Sequence, residues 1–181
     1  KKALRAQMRE FAFALTVSEK RRQADNVFRR VEALDIFRDA HTVALYWSLS
    51  DELPTHDVVS GWTAAGKKVV LPVVSGGEMF FREYYEGCVM SAGQLSVMEP
   101  DGAEIVPPSR IDLMIVPGVA FDRDGFRLGR GKGYYDRYLE MCRAFSLGVG
   151  FRHQLVEQIP RERHDRPVGE VITAAGDYEN K

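Results

Sequence analysis

Four short runs of apolar and β-branched residues constrain the fold of this chain more than any other feature. They are HTVALYW from His41, KKVVLPVV from Lys67 to Val74, IDLMIVPG from Ile111 to Gly118, and FSLGVGF from Phe145 to Phe151. Each is apolar at consecutive rather than alternate positions, so both faces need cover, as in buried parallel strands. Helical stretches separate them. Thr55 to Ala65 places Val58, Val59 and Trp62 on one face, with Gly66 as a C-terminal stop. Gly133 to about Arg143 forms another. The alternation predicts an α/β fold. It is expected as a single three-layer domain over residues 1–181, a mostly parallel central sheet flanked by helices and joined by right-handed crossovers. EMFFREYY (Glu78 to Tyr85) and QLSVMEP (Gln94 to Pro100) are more mixed and predict a small antiparallel or edge element.

Ahead of the first run lie two expected helices. Lys2 to about Leu15 lacks Gly and Pro. Ser18 is the expected cap of the second helix, with Glu19 in its first turn, and Ala24, Val27, Phe28, Val31 and Leu34 recur at helical spacing. No repeat or low-complexity linker divides the chain.

Composition excludes several functional classes. The 181 residues are 45% hydrophobic and 28% charged, which is incompatible with wholesale disorder. Folding at this length buries roughly 70% of the unfolded surface, so the core needs no staples. Lys and Arg number 25 against 26 Asp and Glu, a net charge of −1. No global basic field invites nucleic acid, so any anion site must be local. Cys88 and Cys142 are far apart and form no CxxC pair, which excludes a disulfide framework and a cysteine zinc site. Two thiols without a signal peptide predict a cytoplasmic setting, and no uncharged stretch is long enough for a bilayer span. The chain begins at Lys1 rather than Met, and some native N-terminus is expected ahead of it.

The chemistry concentrates in Ile111 to Leu139, IDLMIVPGVAFDRDGFRLGRGKGYYDRYL. A buried strand enters a loop in which Gly129, Gly131 and Gly133 alternate with Arg130 and Lys132, and a helix starts near Tyr134. Glycines let backbone N–H groups turn inward around an anion. Arg127, Arg130 and Lys132 add positive charge, and the helix start adds its dipole. Such a phosphate cradle falls beyond the carboxyl ends of the strands, where open α/β sheets bind ligands. It is neither a Walker A loop nor a dinucleotide fingerprint. Gly133 follows Lys132 where Ser or Thr is required, and Phe126 and Tyr134 occupy positions that need glycine. Asp136, three residues on, complements the helix dipole or ligates Mg²⁺ against phosphates. Asp165, in His164-Asp165-Arg166-Pro167, is a second acidic candidate. His41, His56 and His153 have no metal spacing.

Ile115-Val116-Pro117-Gly118-Val119-Ala120-Phe121-Asp122, then Gly125, then Arg127 through Asp136, resembles the signature of the 5-formyltetrahydrofolate cyclo-ligase family. The resemblance covers nearly the whole chain. Tyr46 to Thr55 looks like the family's folate-side motif. Gly66-Lys67, Leu71-Pro72, Met79-Phe80, Glu99-Pro100, Gln154, Pro160 and His164-Asp165 fall in the family's order. Gly169 stands where the family often has an aspartate.

The resemblance implies conversion of 5-formyltetrahydrofolate and ATP, with Mg²⁺, to 5,10-methenyltetrahydrofolate, ADP and phosphate. Positioning and charge neutralisation would carry the chemistry, without a protein nucleophile. It implies a nucleotide site at Lys1, Lys2, Arg5, Arg127, Leu128, Gly129, Arg130, Gly131, Lys132, Gly133, Tyr134 and Tyr135. It implies folate contacts from Trp47, Glu52, Arg130, Gly131, Lys132, Gly133 and Tyr134. Arg130 and Lys132 would be catalytic, and Asp136 and Asp165 would hold Mg²⁺. The expected partners are small molecules, with neither nucleic acid nor membrane, and the expected state is a monomer or weak homodimer. A binding protein that keeps the pocket without turnover, or another ATP enzyme on the same fold, remain alternatives.

Overall fold

The computed structural model describes residues 1–93, 97–102 and 104–174. Three helices come first: α1 (Lys2–Ala14), α2 (Val17–Glu32) and α3 (Asp35–Asp39). The α2 cap is Thr16, not Ser18. Thr16 Oγ1 accepts from the Glu19 N–H at 3.2 Å, and the Glu19 carboxylate accepts from the Thr16 N–H at 2.8 Å. Glu19 lies three residues past Thr16, so this reciprocal pair satisfies two otherwise orphaned groups and displaces Ser18 into the first turn.

The chain then runs β1 (Thr42–Ala44), α4 (His56–Ala64), β2 (Lys68–Ser75), β3 (Glu78–Tyr84), β4 (Met90–Ala92), β5 (Met98–Pro100), β6 (Ile105–Val106) and β7 (Leu113–Pro117). It continues with β8 (Ala120–Phe121), β9 (Arg127–Leu128), α5 (Tyr134–Met141), β10 (Phe145–Gly150) and β11 (Glu170–Thr173). The seven-stranded sheet has the order β11-β10-β7-β1-β2-β3-β6. From β11 to β2 all neighbours are parallel, and β3 and β6 are added antiparallel at one edge. Two hairpins, β4–β5 and β8–β9, stand apart from this sheet. The antiparallel edge expected from Glu78–Tyr85 is therefore β3. Of the Gln94–Pro100 run, Met98–Pro100 forms β5, and Gln94–Ser96 lie outside the described residues.

Consecutive apolar positions are buried because each strand feeds two cores. Val43, Leu45, Val69, Leu71, Leu113, Ile115, Leu147 and Val149 pack against Val27, Phe28 and Val31 of α2, Phe37 of α3, and Val59 and Trp62 of α4. Ala44, Val70, Met114 and Val116 pack on the other face with Tyr138 of α5, Phe81 and Val168. Layers of helix, sheet and helix follow directly. The His41 run yields a shorter strand than its composition suggests. After the Leu45 N–H donates to the Val70 carbonyl, the chain leaves the sheet at Tyr46. This early departure opens the space in which the site forms. Among the described residues, no helix is long and apolar enough to cross a membrane.

Candidate active site

A cavity of about 580 Å³ opens beyond the carboxyl ends of β1, β2 and β7. Its lining joins two kinds of surface. Tyr46, Trp47, Pro72, Val74 and Met79 make an apolar side, while Lys1, Arg5, Arg127, Arg130 and Lys132 bring cations to the other. The volume suits a small organic ligand.

The glycine loop builds the cationic side. It leaves β9 at Leu128 and ends at Gly133, the N-cap of α5, where φ is +68°. Gly131 has φ +99°, and a Cβ there would only touch the Arg5 guanidinium at ordinary van der Waals distance, so the backbone angle rather than crowding favours glycine. These two left-handed positions let the loop fold inward toward the α5 start. Arg5 fixes the loop from outside by donating its Nε–H to the Gly129 carbonyl at 2.8 Å.

Arg130 does not project freely. Its Nε donates to Glu52 at 3.0 Å, and its Nη2 donates to Asp51 at 2.6 Å and Glu52 at 2.9 Å. The Glu52 carboxylate also accepts from the Leu49 N–H at 2.9 Å. The 46–55 loop and the glycine loop are thus latched by one arginine. Burial pushes the Asp51 carboxyl up, but the hydrogen bonds and charge of Arg130 outweigh it and hold the group below its ordinary value. Glu52 does not cap α4. Thr55 instead donates Oγ1–H to the Tyr46 carbonyl at 2.6 Å and accepts the Ser48 N–H at 3.0 Å, bracing the loop.

Arg127 is almost wholly buried under the loop. Its guanidinium lies 3.0 Å from the Asp136 carboxylate and over the Tyr135 ring. Burial lowers its pKa, and the charge of Asp136 works against that. Its Nε has no hydrogen-bond partner among the described residues, and neither does the buried Tyr135 hydroxyl, whose pKa burial raises. Asp136 also accepts from the Arg166 N–H at 3.3 Å.

Lys1 ties the chain start to the other acidic group, with Nζ at 2.6 Å from Asp165 and 3.4 Å from Glu162. Burial pushes the Asp165 carboxyl up, but the hydrogen bond from Lys1 and the Glu162 N–H bring it below its ordinary value. Glu162, His164 and Asp165 place ligand atoms within 4.8 Å of one another.

Most residues implied for the site therefore meet in this cavity: Lys1, Arg5, Trp47, Glu52, Arg127, Gly129, Arg130, Gly131, Lys132, Gly133, Tyr134, Tyr135, Asp136 and Asp165. Lys2 is exposed and outside it. Leu128 is buried in a separate cluster with Met8, Ala120 and Ile159, which fixes the loop base. Asp136 and Asp165 border one cavity, but Asp136 is not part of the cluster formed by Glu162, His164 and Asp165.

Three residues outside the implied set also shape the cavity. Buried Gln154 donates to the Gly118 and Val119 carbonyls at 3.0 and 3.2 Å and holds the turn after β7. Glu162 and Glu99 line the wall. Glu99 carries a sequence signal in the Glu99-Pro100 match to the family's order. Gln154 is marked only by its match to the family's order, since spacing does not reveal partners 35 and 36 residues away.

Comparison with known proteins identifies the family. The model of the 5-formyltetrahydrofolate cyclo-ligase family matches residues 1–174. The 5-formyltetrahydrofolate cyclo-ligase of Escherichia coli K12 is 36% identical over 92% of this chain and 96% of its own length. That of Mus musculus is 29% identical over 95% of this chain and 92% of its own length. The NMR structure of Aquifex aeolicus 5,10-methenyltetrahydrofolate synthetase superposes with a TM-score of 0.87 at 32% identity, covering 97% of this chain and 90% of that one. On that match and those relatives, the chain belongs to the 5-formyltetrahydrofolate cyclo-ligase family.

Proposed function

We propose that this chain cyclises 5-formyltetrahydrofolate to 5,10-methenyltetrahydrofolate, consuming ATP with Mg²⁺ and releasing ADP and phosphate. The observation that carries the reading is the joining of a glycine-rich cationic loop and an apolar, aromatic wall in one cavity. A phosphate chain suits the first surface and a bicyclic ring the second.

The N5-formyl group is amide-like, and its oxygen is a poor leaving group. Attack of that oxygen on the γ-phosphorus expels ADP and leaves an iminium phosphate. N10 then attacks the same carbon, gives up its proton, and phosphate departs as the ring closes. Loop N–H groups, Arg5, Arg130 and Lys132 would hold the phosphates and offset charge on the transferring group. Lys132 is the readiest of these, because it is exposed and its ammonium has no partner among the described residues. Glu52 and Arg130 would act together as one latched pair next to the reacting nitrogens. Trp47 and Tyr134 would flank the ring.

Asp136 and Asp165 suit Mg²⁺, which takes one or two carboxylates and fills its shell with water and phosphate oxygen. The Lys1 ammonium, already bridging Asp165 and Glu162, supports an affinity of that corner for cations. Bound there, the metal would neutralise phosphate charge. The enzyme is proposed to work as one domain in the cytoplasm, as a monomer or weak homodimer.

The test is a spectrophotometric assay with 5-formyltetrahydrofolate and Mg²⁺, following the near-ultraviolet band of the methenyl product with and without ATP. An ATP-dependent rise is expected. A flat trace from folded protein that still binds ATP would refute the folate assignment.

A further inference from the structure

We infer that Glu99 is a specificity-determining residue that binds the 2-amino-4-oxopyrimidine edge of the folate ring through its carboxylate. The inference rests on the folate reading of the cavity.

Four other carboxylates line the cavity, and each is committed to a cation. Glu52 is held by Arg130, Asp136 by Arg127, and Asp165 and Glu162 by Lys1. Glu99 has no ion pair among the described residues. One of its oxygens, Oε1, accepts from the Val74 N–H at 3.1 Å, leaving Oε2 and a second lone pair of Oε1 for a ligand. That N–H is available because the chain leaves the sheet after Leu45, so β1 does not extend alongside Val74. Met79 pairs with Val74 across the β2–β3 register, which puts Glu99 beside the apolar wall rather than the phosphate cradle. Gly93 makes room for the group, because any side chain there would overlap the Glu99 carboxylate.

A half-buried carboxylate in an apolar wall suits a planar ligand with two adjacent donors. The ring N3–H and 2-amino group of a folate are such a pair. Two parallel hydrogen bonds to one carboxylate add geometric selectivity as well as affinity. Burial raises the Glu99 pKa, and the Val74 hydrogen bond and Arg82 only partly oppose this. The ionised form must accept both donors, so binding should weaken as acidification protonates Glu99.

The test measures KM for 5-formyltetrahydrofolate and for its 2-desamino analogue, with wild type and Glu99→Gln. Wild type should favour the natural substrate by about 10-fold or more. Glu99→Gln should raise its KM by a similar factor, leave KM for ATP within about 2-fold, and abolish the discrimination. The rise of KM on acidification should also disappear. Equal losses on both substrates would assign Glu99 to bracing Val74 alone and overturn the inference. Wild type that fails to discriminate would overturn it even if the variant does not fold. Wild type that turns over neither substrate would sink the folate reading, and this inference with it.

Discussion

At the scale of single residues, position relative to the cavity separates groups that hold the fold from groups available for chemistry. Lys132 is exposed and fixes no core. Lys132→Ala should lower kcat by about 100-fold or more, the size of losing one preorganised charge stabiliser. Its stability should stay within about 0.5 kcal/mol of wild type. Rate assays paired with chemical denaturation check both. The two aspartates differ in a way their sequence context conceals. Asp136 neutralises buried Arg127, so Asp136→Asn leaves that cation uncompensated and should cost about 3 kcal/mol of stability. The cleaner probe of the proposed metal site is Asp165→Asn, whose partner Lys1 is nearer solvent. It should raise the Mg²⁺ concentration needed for half-maximal rate, and an unchanged requirement would remove Asp165 from the proposed metal site.

At the scale of elements, the decisive contact joins two loops. Asp51 and Glu52, on the loop after β1, grip Arg130 in the loop before α5. Because Asp51 is held below its ordinary value, its contribution is present above the usual carboxylate range and lost as pH falls through the depressed value. Asp51→Asn should therefore melt below wild type at pH 7, and the gap should close as pH drops under about 4. Melting temperatures across pH 2–7 check this, and a gap that persists at the acid end would remove Asp51 as its source. The hairpin β8–β9 is anchored separately. Buried Asp122 accepts from the Phe126 N–H at 3.0 Å and the Ile159 N–H at 3.1 Å, fixing the base from which the glycine loop departs.

For the whole molecule, the sheet has helices on both faces, and the cavity sits at one end of it rather than within a core. Stability and activity should thus be separable. Ile115, nearly fully buried under the α2–α4 layer, faces away from the cavity lining. Ile115→Ala should cost about 2–5 kcal/mol through lost burial and the void left behind. KM for both substrates should be little changed below its melting point, a split that denaturation and steady-state kinetics resolve.

The sequence by itself determined the parallel strands, because consecutive apolar residues in Val69–Leu71 and Leu113–Val116 can be satisfied only between two layers. It also determined the glycine-rich turn ahead of α5, since Gly131 and Gly133 adopt backbone angles that favour glycine. The α2 cap was misplaced at Ser18, because the reciprocal pair of Thr16 and Glu19 starts the helix two residues earlier. Tertiary structure alone decided which charges remain free. Arg127 and Arg130 lie three residues apart, yet one is buried against Asp136 and the other latches a loop that departs from a different strand. Glu99 and Gln154 enter the site through a backbone N–H and carbonyls far away in sequence. Local periodicity reports which face a residue occupies. It carries no record of which distant carbonyl or carboxylate the folded chain brings to that face, and those long-range partners set the charge and hydrogen-bonding capacity of the site.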